Sequence, residues 1–154
     1  MWSSGKLVRT AAAVTLLIAL TAGSAAAILG MGKYEKVKAV NGVVSIPLAK
    51  IASGKARYYK FESGGKEIAF FVVKAGDGTI RSAFDACDVC YLEKKGYEQQ
   101  GDAMLCKNCN KKFAIDRIGP HAAGGCNPSS LAHTVANGSV VIRVEDLQAG
   151  ARFF

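Results

Sequence analysis

Residues 68–90, IAFFVVKAGDGTIRSAFDACDVC, decide the fold. They open with an uninterrupted apolar run, Ile68 to Val73, of strand length and rich in β-branched and aromatic side chains. Such a run reads as a strand. Asp77-Gly78 follows, a dipeptide that readily takes the positive φ angles of a tight hairpin turn. Thr79 to Phe84 is then the returning strand, and it runs directly into a pair of cysteines, Cys87 and Cys90. A hairpin thus delivers a Cys-x-x-Cys loop.

Working outward, the same grammar repeats. Val43 to Leu48 and Arg57 to Phe61 read as strands, with a turn at Ser63-Gly64-Gly65. Leu131 to Ala136 and Ser139 to Val144 flank Asn137-Gly138, the strongest short hairpin signal in the chain. No helical stripe appears after residue 40, and residues 146–154 read either way. Short strands separated by Gly-containing turns predict an all-β domain, a small antiparallel sandwich or barrel over residues 43–154. Residues 32–42 read as a polar linker.

Upstream lies a different kind of sequence. Thr10 to Met31 carries no charge, while Lys6 and Arg9 precede it without an acid. Ala11 to Leu20 has the length of a signal-peptide core, and Ala25 and Ala27 offer a small-residue cleavage site. The uncharged run is also long enough for one membrane crossing, with Lys6 and Arg9 inside. Residues 1–31 are therefore a signal peptide or a single hydrophobic helix anchoring the chain. Either way the rest is exported, to the periplasm or the extracytoplasmic face of the membrane.

The chain has 154 residues, half of them hydrophobic, which is ample for one core and excludes a disordered chain. Net charge is +8, of which Lys6 and Arg9 contribute two, leaving +6 on the exported part. The basic residues are scattered and not interleaved with aromatics, so nucleic acid is not an expected partner. A basic face could instead meet a membrane surface or an acidic redox partner.

The second cysteine pair, Cys106 and Cys109, follows the first after fifteen residues. Two residues between cysteines let both thiolates of a tight loop turn toward one ion. Two such loops complete a tetrahedral sulfur set at a spacing expected of a metal ribbon. Cys87, Cys90, Cys106 and Cys109 are therefore the expected metal ligands. Iron and zinc both suit four thiolates. Two disulfides are compatible with export, whereas dithiol redox chemistry wants a βαβ context that is missing here. Tyr91 and Asn110 follow the second cysteine of each pair, so neither is a c-type haem motif. Lys94, Lys95, Lys107, Lys111 and Lys112 surround the pairs and would offset thiolate charge. Cys126, in Gly124-Gly125-Cys126-Asn127-Pro128, is a candidate for an additional ligand or a supporting contact, since the glycines before it permit close backbone approach, and His121, five residues earlier, is within reach of the same site. Ser-His-Asp and HExxH signatures are absent, and the chain does not read as an enzyme.

The stretches FDACDVCY, GYEQQGDAMLCKNCNKKF and IGPHAAGGCNP resemble the membrane iron–sulfur proteins called FtrD-like, over about residues 44–146. That resemblance implies a membrane-associated iron–sulfur or metal protein linked to iron transport. The cofactor would be a two-iron, two-sulfide cluster or a single iron, with zinc as the alternative. The partner would be a membrane-bound redox or metal-transport protein. The order of elements is also similar to a Rieske domain: ligand pair, loop, second pair with a following Phe113, Gly/Pro-rich loop, closing hairpin. Cysteines stand where Rieske imidazoles would, which implies a lower potential than a His-ligated cluster.

Overall fold

The computed structural model describes residues 32–122 and 124–154, and Lys33–Phe154 forms one unit. The hydrophobic segment before residue 32, with its expected helix, lies outside the described residues. Among those described, no helix is long and apolar enough to cross a membrane.

Among the described residues, ten strands make three sheets. β1 (Tyr34–Val37), β3 (Arg57–Ser63), β4 (Lys66–Lys74) and β5 (Ile80–Phe84) form the first, in that order. β2 (Val43–Pro47), β10 (Ser139–Arg143) and β9 (Thr134–Ala136) form the second. β6 (Tyr97–Gln100), β7 (Ala103–Cys106) and β8 (Lys112–Ala114) form the third. The chain is mostly β, as the sequence predicts, but it is layered sheets and not a closed barrel. Nor is it wholly antiparallel: β1 runs parallel to β3, with Tyr34 opposite Tyr58. Residues 34–37, read from sequence as linker, are thus an edge strand of the first sheet. One short helix, α1 (Val144–Ala149), settles the ambiguous carboxyl end.

The apolar run in β4 explains the layering. Its side chains alternate between two cores, as a strand's period of two requires. Ile68, Phe70 and Val72 form one face and join Val44 and Ile46 of β2, Val140 and Ile142 of β10, and Leu147 of α1. Phe71 and Val73 point the other way, into a cluster with Tyr97, Met104, Cys87 and Cys106. All five β4 side chains are fully buried. The first core is apolar throughout. The second is built around thiols.

Candidate metal centre

Strand ends position the cysteines. β5 finishes at Phe84, and Cys87 follows within three residues, itself buried. The Cys90 N–H donates to Cys87 Sγ (3.1 Å), which folds the first pair into a tight turn. A single 3-10 turn, Tyr91–Glu93, carries the chain away, ending at Lys94 with φ of 50°. Cys106 ends β7 and is buried. The Asn110 N–H donates to the Cys106 carbonyl (2.9 Å), and the Cys106 N–H to the Lys111 carbonyl (2.9 Å), so the second pair also sits in a closed turn.

The two turns converge, and a third segment joins them. Sγ atoms of Cys87, Cys90 and Cys126 lie within 4.8 Å of one another, and so do those of Cys90, Cys106 and Cys109. Cys90 belongs to both groups, and its sulfur is 3.6 Å from that of Cys126. The structure thus brings together the four expected cysteines and Cys126. His121 is exposed and belongs to neither group. His133 is elsewhere, its Nδ1 2.7 Å from Ser82 Oγ.

Cys126 is delivered by how its loop is tied. Beyond it, Ser129 to Leu131 run along the free edge of β5: the Phe84 N–H donates to the Ser129 carbonyl (2.8 Å) and the Leu131 N–H to that of Ser82 (3.2 Å). Tyr97 holds the loop from the other side, its hydroxyl donating to the Cys126 carbonyl (2.6 Å).

Tyr97 is in turn fixed by Asp85. The Asp85 side chain is wholly buried. Its carboxylate accepts from the Tyr97 N–H (2.6 Å), the Tyr34 hydroxyl (2.5 Å) and Lys33 Nζ (2.5 Å). Lys33 also donates to the Tyr97 carbonyl (2.9 Å) and lies over the Tyr58 ring at 4.2 Å. A buried charge needs such pairing and hydrogen bonding. Gly96 makes room: its φ is +65°, and a Cβ there would come within 2.7 Å of the Asp85 carboxylate. A carboxylate placed just before the first cysteine, at the end of an apolar strand, was the signal available for this network.

The thiols differ in acidity. Burial pushes the Cys106 thiol up to about 11, against backbone N–H groups of Cys109 and Asn108 that favour its thiolate. Burial also works to raise Cys109, but the Lys111 N–H and hydrogen bonds with Cys126, Cys106 and Cys90 outweigh it, and its pKa falls. Cys126, hydrogen-bonded to Cys109 and then to Cys90, is pushed up to about 12. Cys109 is thus more acidic than Cys106 and Cys126. Lys94, Lys95, Lys107, Lys111 and Lys112 are all exposed around these turns.

The donor set suits a thiophilic metal. Two thiolates on one tetrahedral ion with bonds of about 2.3 Å stand about 3.8 Å apart. The Cys90–Cys126 separation of 3.6 Å is close to that. All-sulfur donors are what zinc and iron–sulfur centres take.

Comparison with curated proteins gave no match. The family model described as "Membrane iron-sulfur containing protein FtrD-like" matches residues 51–154, which span every cysteine of the site. The chain therefore belongs to the FtrD-like family of membrane iron–sulfur containing proteins.

Proposed function

We propose that this chain is an exported electron carrier that holds an iron–sulfur centre on Cys87, Cys90, Cys106 and Cys109 and serves a membrane system for iron transport. The observation that carries the reading is the convergence of thiols from three separate segments on Cys90, in a family described as iron–sulfur containing. Export and anchoring rest on the sequence pattern of residues 1–31. The succession of first pair, small sheet, second pair, tied loop and closing hairpin supports the Rieske-like order.

When bound, an iron–sulfur centre supplies a one-electron couple. The residues of the chain do the rest. Cys87 and Cys106 are buried and would form the inner edge, shielded from water by Phe71, Tyr97 and Met104. Cys90 and Cys109 are half-buried and would form the outer edge. Backbone N–H groups at the turns and the surrounding lysines favour ionised sulfur. Tyr97 and Asp85 orient the loop that carries Cys126. In this reading no side chain serves as catalytic acid, base or nucleophile.

The test is iron, sulfide and zinc content together with the visible spectrum of the full chain purified without air. Iron with sulfide, and colour that bleaches on reduction, is the expected result. One zinc and no colour would reduce the site to a structural staple.

A second reading, a metal carrier, is favoured by the fifth thiol beside Cys90. A thiol that can replace a ligand offers a path for exchange. It predicts that C126S slows metal transfer to a chelator several-fold while leaving thermal unfolding unchanged. Identical transfer rates would remove Cys126 from that role.

A further inference from the structure

The turn that carries Cys87 and Cys90 holds two large apolar side chains out to solvent. Val89 is 61% exposed and Leu92 is 74% exposed. Single exposed apolar residues are ordinary, but these two bracket Cys90, the sulfur common to both thiol groups.

Lysines ring them. Lys94 and Lys95 follow on the same turn. Lys107 is brought alongside by its own N–H, which donates to the Gly96 carbonyl (3.0 Å), and Lys111 by its carbonyl, which accepts from Cys106. None of these four lysines has an ion-pair partner among the described residues. The carboxylates nearby do little to offset them. Asp88 is engaged by Arg152 (3.0 Å), which leaves Glu93 as the one carboxylate of this turn outside an ion pair among the described residues. Glu35, Glu67, Asp77 and Asp146, elsewhere on the domain, each pair with a basic side chain.

We propose that the Val89–Leu92 tip and its collar of Lys94, Lys95, Lys107 and Lys111 form the docking surface for an acidic protein partner, one that presents carboxylates around a small apolar spot. Unpaired charge of one sign steers an opposite partner and raises its rate of encounter. The apolar centre adds burial where the two surfaces meet. A membrane surface fits less well. Interfacial binding uses an amphipathic helix with a broad apolar face, and here there is a single 3-10 turn with two apolar side chains. The inference rests on the iron–sulfur reading only for what is exchanged at the surface, an electron. The docking chemistry stands apart from it.

The test uses the full chain, metal-loaded, in phosphatidylcholine nanodiscs. The probe is a fluorescent peptide with four glutamates on either side of two leucines, followed by anisotropy. Binding should weaken about tenfold or more as salt rises from about 20 to about 200 mM. K94E/K95E and K107E/K111E should each lose about fivefold or more, and V89S/L92S about threefold. K38E/K74E, which reverses the same number of exposed charges outside the collar, should change binding less than about twofold. Three results would overturn the proposal: no binding, an equal loss in K38E/K74E, or phosphatidylglycerol vesicles capturing the chain through the collar while the peptide does not. Metal content and colour are read on the same samples. A colourless protein that binds through the collar refutes electron transfer and keeps the docking surface. A coloured iron protein that fails to bind does the opposite.

Discussion

The two cores that share β4 are made of different material. On one face Phe70 packs on Tyr59 with ring centroids 5.4 Å apart, among aliphatic side chains from two sheets. On the other, Phe71 leans on Tyr58 and Tyr97, and beyond them the cluster is completed by cysteines. The first core holds itself together by burial alone. The second lends its cohesion to whatever the thiols bind, because its small sheet contributes few large apolar side chains of its own. One strand can thus serve a permanent core and a conditional one at the same time.

Removing the metal should separate the two cores most clearly. Metal binding at a site built from several chain segments is coupled to folding, and in zinc-finger peptides structural zinc is worth about 10–16 kcal/mol. Chelation under reducing conditions is expected to abolish amide-exchange protection in β6–β8 and leave β2, β3, β4 and β10 protected. Retained protection in β6–β8 would mean that the second core stands on its apolar contacts.

Two neighbouring truncations come next. F70A and F71A both empty a fully buried site and should each cost about 3–5 kcal/mol in chemical denaturation. Only F71A should also speed metal loss. Equal metal retention in the two would show that the cores are energetically joined through β4.

Asp85→Asn probes the tie between the linker-like residues and the second core. Removing one member of a buried pair costs about 3 kcal/mol, and Lys33 is partly exposed, which lowers the figure to roughly 2. The loop held through Tyr97 should loosen as well, seen as faster metal release. Unchanged release would confine Asp85 to a stabilising role.

The smallest expected effect belongs to the first core. Burial, and then the Glu35 charge, push the Tyr59 phenol up from its ordinary value of 10.0 to about 12. The folded state thus holds this proton more tightly than the unfolded one. Its contribution is complete below pH 10 and is lost as pH rises from 10 toward 12. Tyr59→Phe should flatten that decline in stability. An unaltered decline would assign it to the other buried tyrosines.

Much of this was legible in the chain. Three Gly-containing turns, at Ser63-Gly64-Gly65, Asp77-Gly78 and Asn137-Gly138, fall where hairpins form. The paired cysteines lie close together, and Cys126, singled out by the glycines before it, lies beside them. What escaped had physical reasons. β1 is a polar edge strand with its two central side chains exposed, so it shows no apolar alternation. β6 and β7 look like a long loop because cysteine, counted as ligand, also serves as core. α1 has six residues, too few to display a helical period. Asp85 acquires its meaning only from Lys33 and Tyr34, far away in sequence. His121, plausible by proximity in the chain, is turned out to solvent.

The pairing of β2 with β10 has a consequence in time. Val43 lies opposite Arg143, so the second sheet cannot close until nearly the whole chain is present. Every cysteine from Cys87 to Cys126 is delivered before β10. During delivery from the amino end, the five thiols are therefore exposed before the permanent core can form around β4. Contacts this remote in sequence also form slowly. The hazard for a newly made chain is mispairing or oxidation of its cysteines in that interval, and rapid capture of metal would be its protection.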